Sequence, residues 1–311
     1  MPQHVRFTPR DYASPEYNDW CRGCGDYGIL RALQKALADL SLPPEQVAVF
    51  GGIGCSGKTP YYLRANGIHT LHGRVLPFAA GAKLAHPALT VIAAGGDGDG
   101  LSIGAGHFVN AGRRNLDLTY LFFNNAVYGL TKGQASPTLP QGEQTRGMAA
   151  PNPQRALDPI RLALAAGYTW IGRGYAYDVD HLADLITRAI RHPGLAFLDI
   201  RQPCPHYDPA HDKAWYAARV KRLDDHDPCL PPGSDVSRRN ALHTAIHRIL
   251  DDETTLAVGV LLEDRSIAPF AEALQRLQPA WPARIPATAP IADAHGRPLA
   301  RIDKLLDRFT V

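Results

Sequence analysis

The hydrophobic positions from residue 47 onward alternate between short β-branched or apolar runs and longer stretches rich in Ala, Leu and Gly. This alternation is typical of βαβ units, in which helices connect neighbouring strands of a parallel sheet. Continuous apolar runs indicate strands that helices cover on both faces. The predicted strands are VAVFGG, LTVIAAGG, LTYLFFNN and LAFLDIRQ.

The segments between these strands carry the longer period of helices. The predicted helices are LPFAAGAKLA, LSIGAGHFVNAGRR, DPIRLALAAG and VDHLADLITRAIRH. The pattern therefore predicts an α/β fold with a doubly wound parallel sheet. Such sheets bind ligands beyond the carboxyl ends of their strands, so we expect the chemistry in the loops that follow the strands.

The character of the chain changes near residue 225. DDHDPCLPPGSD is typical of a loop, and NALHTAIHRILDDE predicts one more helix. QPAWPARIPATAPIADAHGRP is rich in Pro and Ala and predicts an extended arm. We therefore expect a main domain over residues 1–225 and a C-terminal arm over residues 226–311 that contacts a partner.

Composition and charge exclude several classes of protein. The chain has 311 residues, 45% of them apolar, and its 33 basic and 30 acidic side chains nearly balance. It has no basic run that would follow the phosphates of a nucleic acid. No apolar stretch approaches the roughly 18 residues that span a bilayer, and the N-terminus lacks the apolar centre of a secretion signal. We expect a cytoplasmic protein that binds neither nucleic acid nor membrane.

Polar residues follow two of the predicted strands, in AAGGDGDGLSIG and LFFNNAVYGL. Asn125 follows Asp97 by 28 residues, the length of one helix and one strand with their turns. Both side chains should therefore emerge next to each other at one edge of the sheet. Oxygen ligands of this kind suit Mg²⁺, and the glycines around Asp97 allow the backbone to approach a diphosphate closely. The spacing predicts a diphosphate site; the alternative is two ordinary turns.

GDG followed by NN at this distance resembles the motif of thiamine diphosphate enzymes. The resemblance implies that Asp97, Asn125 and the backbone carbonyl of Val127 bind Mg²⁺.

A second glycine-rich loop, GGIGCSGKT, satisfies the P-loop pattern from Gly52 to Thr59. A P-loop needs a long helix that opens immediately after it, so that the helix N-terminus binds phosphate. Only YYLRAN separates Pro60 from Gly67, which is little more than one helical turn. We therefore do not expect nucleotide hydrolysis.

The chain has five cysteines, Cys21, Cys24, Cys55, Cys204 and Cys229. Disulfides rarely persist in a reducing compartment, so clustered cysteines favour metal or redox chemistry. Two of them follow predicted strands, and Cys204 precedes a proline as in ferredoxin cluster motifs. Cys21, Cys24, Cys55 and Cys204 could converge to hold a 4Fe-4S cluster or a tetrahedral zinc ion, which spacing alone does not separate.

Five segments together carry a family resemblance: WCRGCGDYGIL, GGIGCSGKTPYY, HTLHGRVLPFAAGAKLAHP, the stretch from GGDGDGLSIG to GLTKGQASPT, and PCP. They resemble the β subunit of 2-oxoacid:ferredoxin oxidoreductases, most closely the two-subunit 2-oxoglutarate type, over about residues 15–225. Arg22 departs from the proline that is usual in the family. The resemblance implies a thiamine diphosphate-binding fold and a 4Fe-4S cluster on Cys21, Cys24, Cys55 and Cys204, while Cys229 matches no ligand.

The implied activity is the coenzyme A-dependent oxidative decarboxylation of a 2-oxoacid, with electrons passed through the cluster to ferredoxin. The resemblance suggests that Lys132 binds the substrate carboxylate and that His72 assists proton transfer near the thiazolium. The alternatives are an ordinary exposed lysine and a structural histidine. Lys58 could place its ammonium group against the diphosphate. The expected cofactor contacts are Cys55, Ser56, Gly57, Lys58, Gly96, Asp97, Gly98, Asp99, Asn125, Val127, Gly129 and Leu130.

Thiamine enzymes need a glutamate against the aminopyrimidine, and in this family it comes from the α subunit. No candidate is evident in this chain, so we expect it to be inactive without that partner. Three alternatives stay open: a thiamine-dependent decarboxylase with a structural zinc ion, a silent electron carrier or assembly subunit, and an oxidoreductase specific for pyruvate rather than 2-oxoglutarate.

Overall fold

The computed structural model describes residues 6–223, 226–279, 281–282 and 286–299. Within these ranges the main sheet has nine strands. They are β1 (Val47–Gly51), β2 (Asn66–His69), β3 (Thr90–Gly96), β4 (Leu118–Asn124), β7 (Trp170–Tyr175), β8 (Leu195–Arg201), β9 (Val220–Arg222), β10 (Cys229–Leu230) and β11 (Leu256–Asp264). A separate antiparallel pair consists of β5 (Val127–Tyr128) and β6 (Gln134–Ala135).

The sheet has the order β10-β11-β7-β8-β4-β3-β1-β2, and β9 also pairs with β11. The six strands from β7 to β2 are parallel to each other, whereas β11 runs antiparallel to β7. All four predicted strands are present, as β1, β3, β4 and β8. The sheet is therefore mostly parallel, as the apolar runs predict, with a mixed edge.

Helices alternate with these strands along the chain. They are α1 (Asp26–Asp39), α2 (Val75–Ala85), α3 (Asp97–Leu101), α4 (Ala105–Arg114), α5 (Pro159–Ala166), α6 (Val179–Arg191), α7 (Lys213–Ala217), α8 (Val236–Asp251) and α9 (Phe270–Leu277). The predicted helix LSIGAGHFVNAGRR is interrupted, because the chain turns at residues 102–104 between α3 and α4. None of the described helices is long and apolar enough to cross a membrane.

Buried side chains lie on both faces of the sheet, which confirms the doubly wound architecture. On one face α1 and α6 pack over the strands, with Leu33 and Ile186 fully buried. On the other face α2, α4 and α5 pack over a second core that contains Phe108 and Phe197. Their ring centroids lie 5.2 Å apart in an edge-to-face arrangement, which favours aromatic packing.

The C-terminal part of the chain differs from the predicted arm. Strand β11 pairs with β7 in the main sheet, and Leu261 and Leu262 are buried in the core. Ile246 of α8 is buried in the same core. The boundary predicted at residue 226 therefore does not separate a folded domain from an arm, because residues 229–277 extend the main sheet. The last residues of the predicted arm, 300–311, lie outside the described residues.

The glycine-rich loop that matches the P-loop pattern leads into a short helix. After Cys55 the chain forms a 3-10 helix, Ser56–Tyr62, rather than a long α-helix. A short 3-10 helix does not supply the aligned amides that a P-loop uses. The structure thus agrees with the sequence argument against nucleotide hydrolysis.

Candidate active site

A cavity of about 510 Å³ lies at the carboxyl ends of the parallel strands. The loops after β1, β3, β4 and β8 form its walls, together with His72 after β2. This is the position at which doubly wound sheets bind ligands. The lining residues are Ile53, Gly54, Cys55, Ser56, His72, Gly96, Asp97, Gly98, Asp99, Phe123, Asn125, Val127, Tyr128, Gly129, Leu130, Thr131, Gln134 and Gln202.

Asp97 is the first residue of α3 and is almost fully buried at the cavity. Its Oδ2 accepts hydrogen bonds from the hydroxyls of Ser136 and Thr138, the latter at 2.7 Å. Burial raises the pKa of this carboxyl, and the two hydroxyls partly offset that rise. A cation in the cavity would further stabilise the ionised form, so Asp97 is suited to bind one.

The two asparagines after β4 have different environments. Asn125 lines the cavity, and its Oδ1 accepts a hydrogen bond of 3.0 Å from the backbone N–H of Val127. Between them Ala126 has a left-handed φ of 62°, so the chain turns sharply at the cavity wall. Asn124 is fully buried and donates to Asp199 Oδ1 at 2.8 Å. Only the second asparagine is therefore available to a ligand.

Thr138 connects the cavity to a buried polar network. Its Oγ1 lies 2.7 Å from Asp97 Oδ2 and 3.0 Å from Asn124 Oδ1. A hydroxyl has one hydrogen, so Thr138 donates to one of these oxygens at a time. Beyond Asn124, the Asp199 carboxylate accepts from Arg173 Nε at 3.0 Å. The orientation of Asp97 thus depends on a chain of buried contacts. Sequence reasoning missed the contacts of Ser136 and Thr138 with Asp97, although both residues lie in the quoted segment GQASPT.

Asp99 joins three of the strand-end loops. Its Oδ1 accepts from the backbone N–H of Ile53 at 3.0 Å and of Gly73 at 2.7 Å, and lies 3.0 Å from His72 Nδ1. Gly52 is required for this approach, because a Cβ there would lie 2.1 Å from Asp99 Oδ2. Asp99 therefore binds the protein itself rather than presenting a free carboxylate.

Cys55 and Cys204 meet next to the cavity. Cys55 follows β1 and lines the cavity, while Cys204 follows β8 and is buried. Their Sγ atoms lie 3.4 Å and 3.9 Å from the position that a Cβ would take at Gly129. Because Gly129 has no side chain, space remains between its backbone and the two sulfurs.

Cys21 and Cys24 precede α1 in one turn, closed by a hydrogen bond of 3.0 Å from the Cys24 N–H to the Cys21 carbonyl. Burial raises the pKa of the Cys55 thiol to about 12 and also raises the pKa of Cys24 and of Cys204. Smaller rises come from charge interactions among the cysteines, in which Cys21 also takes part. The four cysteines therefore share one region, and a metal would be needed to keep Cys24, Cys55 and Cys204 ionised.

The cysteines are not arranged around a single ion. In the part of the chain that the structure describes, no group of three or more His, Cys, Asp or Glu side chains is arranged to hold one metal ion. Convergence of the four cysteines on a cluster consequently stays a prediction.

Of the residues expected to contact the thiamine cofactor or the substrate, three lie away from the cavity lining. Lys58 forms an ion pair with Asp19, with 2.7 Å between Nζ and Oδ2. Lys132 is exposed and has a left-handed φ of 88°. Gly57 is packed against the backbone of Gly52. Their contacts with a cofactor or substrate remain predictions, whereas the other expected cofactor residues and His72 line the cavity.

Several cavity residues carry no motif that sequence reasoning could use. Tyr128 lies between two expected residues and donates a hydrogen bond of 3.0 Å to the Gly98 carbonyl. Gln202 lies directly after β8, two residues before Cys204. The rule that ligands bind at the carboxyl ends of strands could have found both positions, since each follows a strand by one or a few residues.

The fold and this cavity define a thiamine diphosphate-binding α/β protein. Residues 52–200 match the model of the thiamine pyrophosphate enzyme family, C-terminal TPP binding domain. That range begins in the loop after β1 and ends within β8, so it contains most of the cavity walls.

Relatives of known name make the family more specific. The chain is 45% identical over 296 residues to the 2-oxoacid:ferredoxin oxidoreductase subunit beta of Saccharolobus solfataricus, covering 94% of this chain and 96% of the relative. It is 44% identical over 303 residues to subunit beta of 2-oxoacid:ferredoxin oxidoreductase 2 of Aeropyrum pernix, covering 96% and 97%. The chain belongs to the family of 2-oxoacid:ferredoxin oxidoreductase β subunits, and is thus a subunit of an enzyme.

A solved structure shows the same fold. The 2-oxoglutarate:ferredoxin oxidoreductase from Magnetococcus marinus, with 2-oxoglutarate, coenzyme A and succinyl-CoA bound, is 29% identical. The match covers 100% of this chain and 99% of that one, with a TM-score of 0.82. The predicted fold class and family are therefore confirmed.

Proposed function

We propose that this chain, with an α subunit, catalyses the coenzyme A-dependent oxidative decarboxylation of a 2-oxoacid to acyl-CoA and CO₂. We favour 2-oxoglutarate as the substrate and ferredoxin as the electron acceptor. In this proposal the cavity binds thiamine diphosphate with Mg²⁺, and the four cysteines hold a 4Fe-4S cluster beside it. The observation that carries the proposal is the position of Cys55, which lines the cavity while its sulfur lies near that of Cys204.

The oxygen donors at the cavity fit Mg²⁺. Asp97 offers a buried carboxylate, Asn125 an amide oxygen, and Val127 a backbone carbonyl. Mg²⁺ prefers such hard oxygen ligands and usually completes its shell with phosphate and water. Ser136 and Thr138 fix one oxygen of Asp97 from behind, which keeps the carboxylate oriented toward the ion.

The sulfur donors fit an iron–sulfur cluster. Iron–sulfur clusters are held by four cysteine thiolates, which Cys21, Cys24, Cys55 and Cys204 can supply. Four cysteine thiolates can also hold a single zinc ion, so metal analysis of the complex is needed to separate the two.

Thiamine diphosphate, when bound, supplies the nucleophilic carbon and electron-accepting ring that decarboxylation of a 2-oxoacid requires. The chain's own residues bind and orient it through the loops after β1, β3 and β4. His72 is placed to exchange a proton with the reacting groups. Leu130 and Phe123 are the apolar part of the wall that limits access of water.

The cavity lacks two groups that the reaction needs. Among the described residues that line it there is no glutamate to activate the aminopyrimidine, and there is no Lys or Arg to bind carboxylates. The relatives are named as β subunits, which implies a partner. We propose that the α subunit supplies the glutamate and part of the positive charge, with Lys132 adding to it from the rim. The remainder of the C-terminal segment beyond α9 is then available to contact that partner.

The preference for 2-oxoglutarate is supported by similarity. The chain is 42% identical over 199 residues to the 2-oxoglutarate oxidoreductase subunit KorB of Mycobacterium tuberculosis, covering 64% of this chain and 53% of that one. The solved enzyme from Magnetococcus marinus likewise has 2-oxoglutarate and coenzyme A bound.

An assay of the co-expressed αβ complex tests the proposed reaction. Under anaerobic conditions, reduction of a viologen should require a 2-oxoacid and coenzyme A and should be fastest with 2-oxoglutarate. The isolated chain should be inactive because the glutamate is missing. Turnover by the isolated chain, or decarboxylation without electron transfer, would refute the proposal.

Metal analysis of the same complex separates the cluster from zinc. Four irons with sulfide for each chain agree with the proposal, whereas one zinc would indicate a decarboxylase with a structural metal. Thermal stabilisation of the chain by thiamine diphosphate with Mg²⁺ would exclude a silent electron carrier.

A further inference from the structure

Asp97 and Asp99 both lie in α3, but their carboxylates have different hydrogen-bond partners. Asp97 Oδ2 accepts hydrogen bonds from two hydroxyl groups, whereas Asp99 Oδ1 accepts hydrogen bonds from the backbone N–H groups of Ile53 and Gly73. These two N–H groups come from the loops after β1 and β2. Asp99 Oδ1 is therefore fixed in position as an acceptor by two rigid donors.

The third contact of this oxygen is His72 Nδ1 at 3.0 Å. A carboxylate oxygen accepts hydrogen bonds, so the imidazole hydrogen must lie on Nδ1. The other ring nitrogen, Nε2, has no hydrogen-bond partner among the residues that the structure describes. His72 lines the cavity, and its ring packs edge-on to Tyr128 with 6.3 Å between the centroids.

We propose that Asp99 is a positioning residue, which holds His72 so that Nε2 serves the cavity in proton transfer. This inference rests on the proposed function. His72, as the imidazolium, donates one proton from Nε2 to the carbonyl oxygen of the 2-oxoacid as that oxygen gains negative charge, which leaves the neutral ring with its hydrogen on Nδ1. It takes one proton back when the carbonyl of the acyl product forms, so the two transfers cancel.

The carboxylate contributes more than a hydrogen bond. A negative charge next to Nδ1 attracts the N–H dipole there and prevents the ring from flipping to the other tautomer. The side chain of Asp99 is fully buried, whereas that of His72 is 41% exposed, so solvent partly screens this interaction. The close approach at Gly52 leaves no space for the longer glutamate.

Three variants of the αβ complex test the proposal. His72→Asn retains a side-chain amide that can reach Asp99 but removes Nε2, and should lower kcat by about 100-fold or more with little change in KM. Asp99→Asn retains the acceptor for Ile53 and Gly73 but removes the charge, and should lower kcat by about tenfold. The control is His69→Asn, three residues earlier on β2, which bonds Tyr61 outside the cavity lining and should leave kcat unchanged.

Two further measurements separate positioning from a general structural role. Affinity for thiamine diphosphate with Mg²⁺, measured by calorimetry, should be unchanged in His72→Asn and Asp99→Asn. In the unaltered full-length chain labelled with ¹⁵N-histidine, His72 should carry its hydrogen on Nδ1 when the ring is neutral, with His72→Asn identifying the signal.

Wild-type kcat in His72→Asn, or a neutral His72 with its hydrogen on Nε2, would overturn the inference even if the proposed function holds. Loss of cofactor affinity equal to the loss of kcat would also overturn it, because that result indicates a structural role. If the unaltered complex oxidises no 2-oxoacid, the proposed function fails and the inference fails with it.

Discussion

Polar side chains have different surroundings at the two ends of the parallel sheet. At the amino ends Asn115 uses its whole side chain: Oδ1 accepts from the Leu195 N–H at 2.8 Å and from Thr169 Oγ1 at 2.7 Å, and Nδ2 donates to the Ala268 carbonyl. At the carboxyl ends Asp99, Asn125 and Gln202 line the cavity of about 510 Å³. Buried polar atoms without a hydrogen-bond partner among the described residues occur at both ends, for example Gln202 Oε1 and His192 Nδ1.

Polar groups that line the cavity can reach a ligand, whereas the side chain of Asn115 is hydrogen-bonded within the protein. The contacts at the amino ends therefore stabilise the fold, whereas the loops at the carboxyl ends are suited to bind ligands. Substitutions at the carboxyl ends should therefore impair function more than folding, and substitutions at the amino ends should do the reverse.

Cys204→Ala should have the largest effect. It removes a thiolate from the proposed cluster, so viologen reduction should be abolished and iron and sulfide content should fall. Binding of thiamine diphosphate, measured by calorimetry, should remain because its proposed ligands are intact. Cys229→Ala is the control, since Cys229 is exposed on β10 and should leave activity intact. Full activity in Cys204→Ala would contradict the assignment.

Asp97→Asn should weaken binding of thiamine diphosphate with Mg²⁺ by about 100-fold or more, because it removes the charge of the proposed metal ligand and not merely a supporting contact. Iron content should not change. Calorimetry and metal analysis of the same preparation test both statements. Unchanged cofactor affinity would show that the cation site lies elsewhere in the cavity.

Asn115→Ala tests the opposite end of the sheet. It leaves the Leu195 N–H and the Thr169 hydroxyl without this acceptor, and it places alanine, which disfavours the left-handed region, at a φ of 47°. We expect a loss of about 2–4 kcal/mol in the free energy of unfolding, measured by denaturant titration. Activity per folded molecule should be unchanged. A fall in kcat without a loss of stability would contradict the claim that the amino ends serve folding rather than activity.

His192 also lies at the amino ends, buried against Thr169 at 2.8 Å. Burial lowers its pKa to about 4 from an ordinary value near 6.5. The unfolded chain then binds the proton more tightly, so stability should fall as the pH decreases from about 6.5 to 4, by at most about 3 kcal/mol. The unfolding free energy of His192→Gln should depend less on pH in this window, whereas His295→Gln, an exposed control, should behave as the unaltered chain does.

The sequence predicted those parts of the fold that have a continuous local signal. The apolar runs of β1, β3, β4 and β8 are buried on both faces, so their pattern is unambiguous. By contrast, β2 reads NGIH and is an exposed edge strand of four residues, which has no hydrophobic pattern. Strand β11 was missed although LAVGVLL is a continuous apolar run, and its place beside β7 is set by tertiary pairing.

The candidate site shows the same limit. Asp97 and Asn125 were predictable because two strand ends at a fixed spacing emerge at one edge of the sheet. The contacts of Ser136 and Thr138 with Asp97 come from a loop that returns to the cavity about 40 residues later, as long-range loop closure allows. A local hydrophobic pattern does not indicate contacts between residues that lie this far apart in the sequence. The ion pair between Lys58 and Asp19 was not predicted either, since the two residues are 39 positions apart in the sequence.

Electron paramagnetic resonance of the anaerobic αβ complex tests most directly whether oxygen and sulfur donors serve one shared cavity. Addition of 2-oxoglutarate should produce the signal of a reduced 4Fe-4S cluster, and both Asp97→Asn and Cys204→Ala should lose that signal for different reasons. A complex loaded with iron and thiamine diphosphate that decarboxylates 2-oxoglutarate while its cluster stays oxidised would contradict the account.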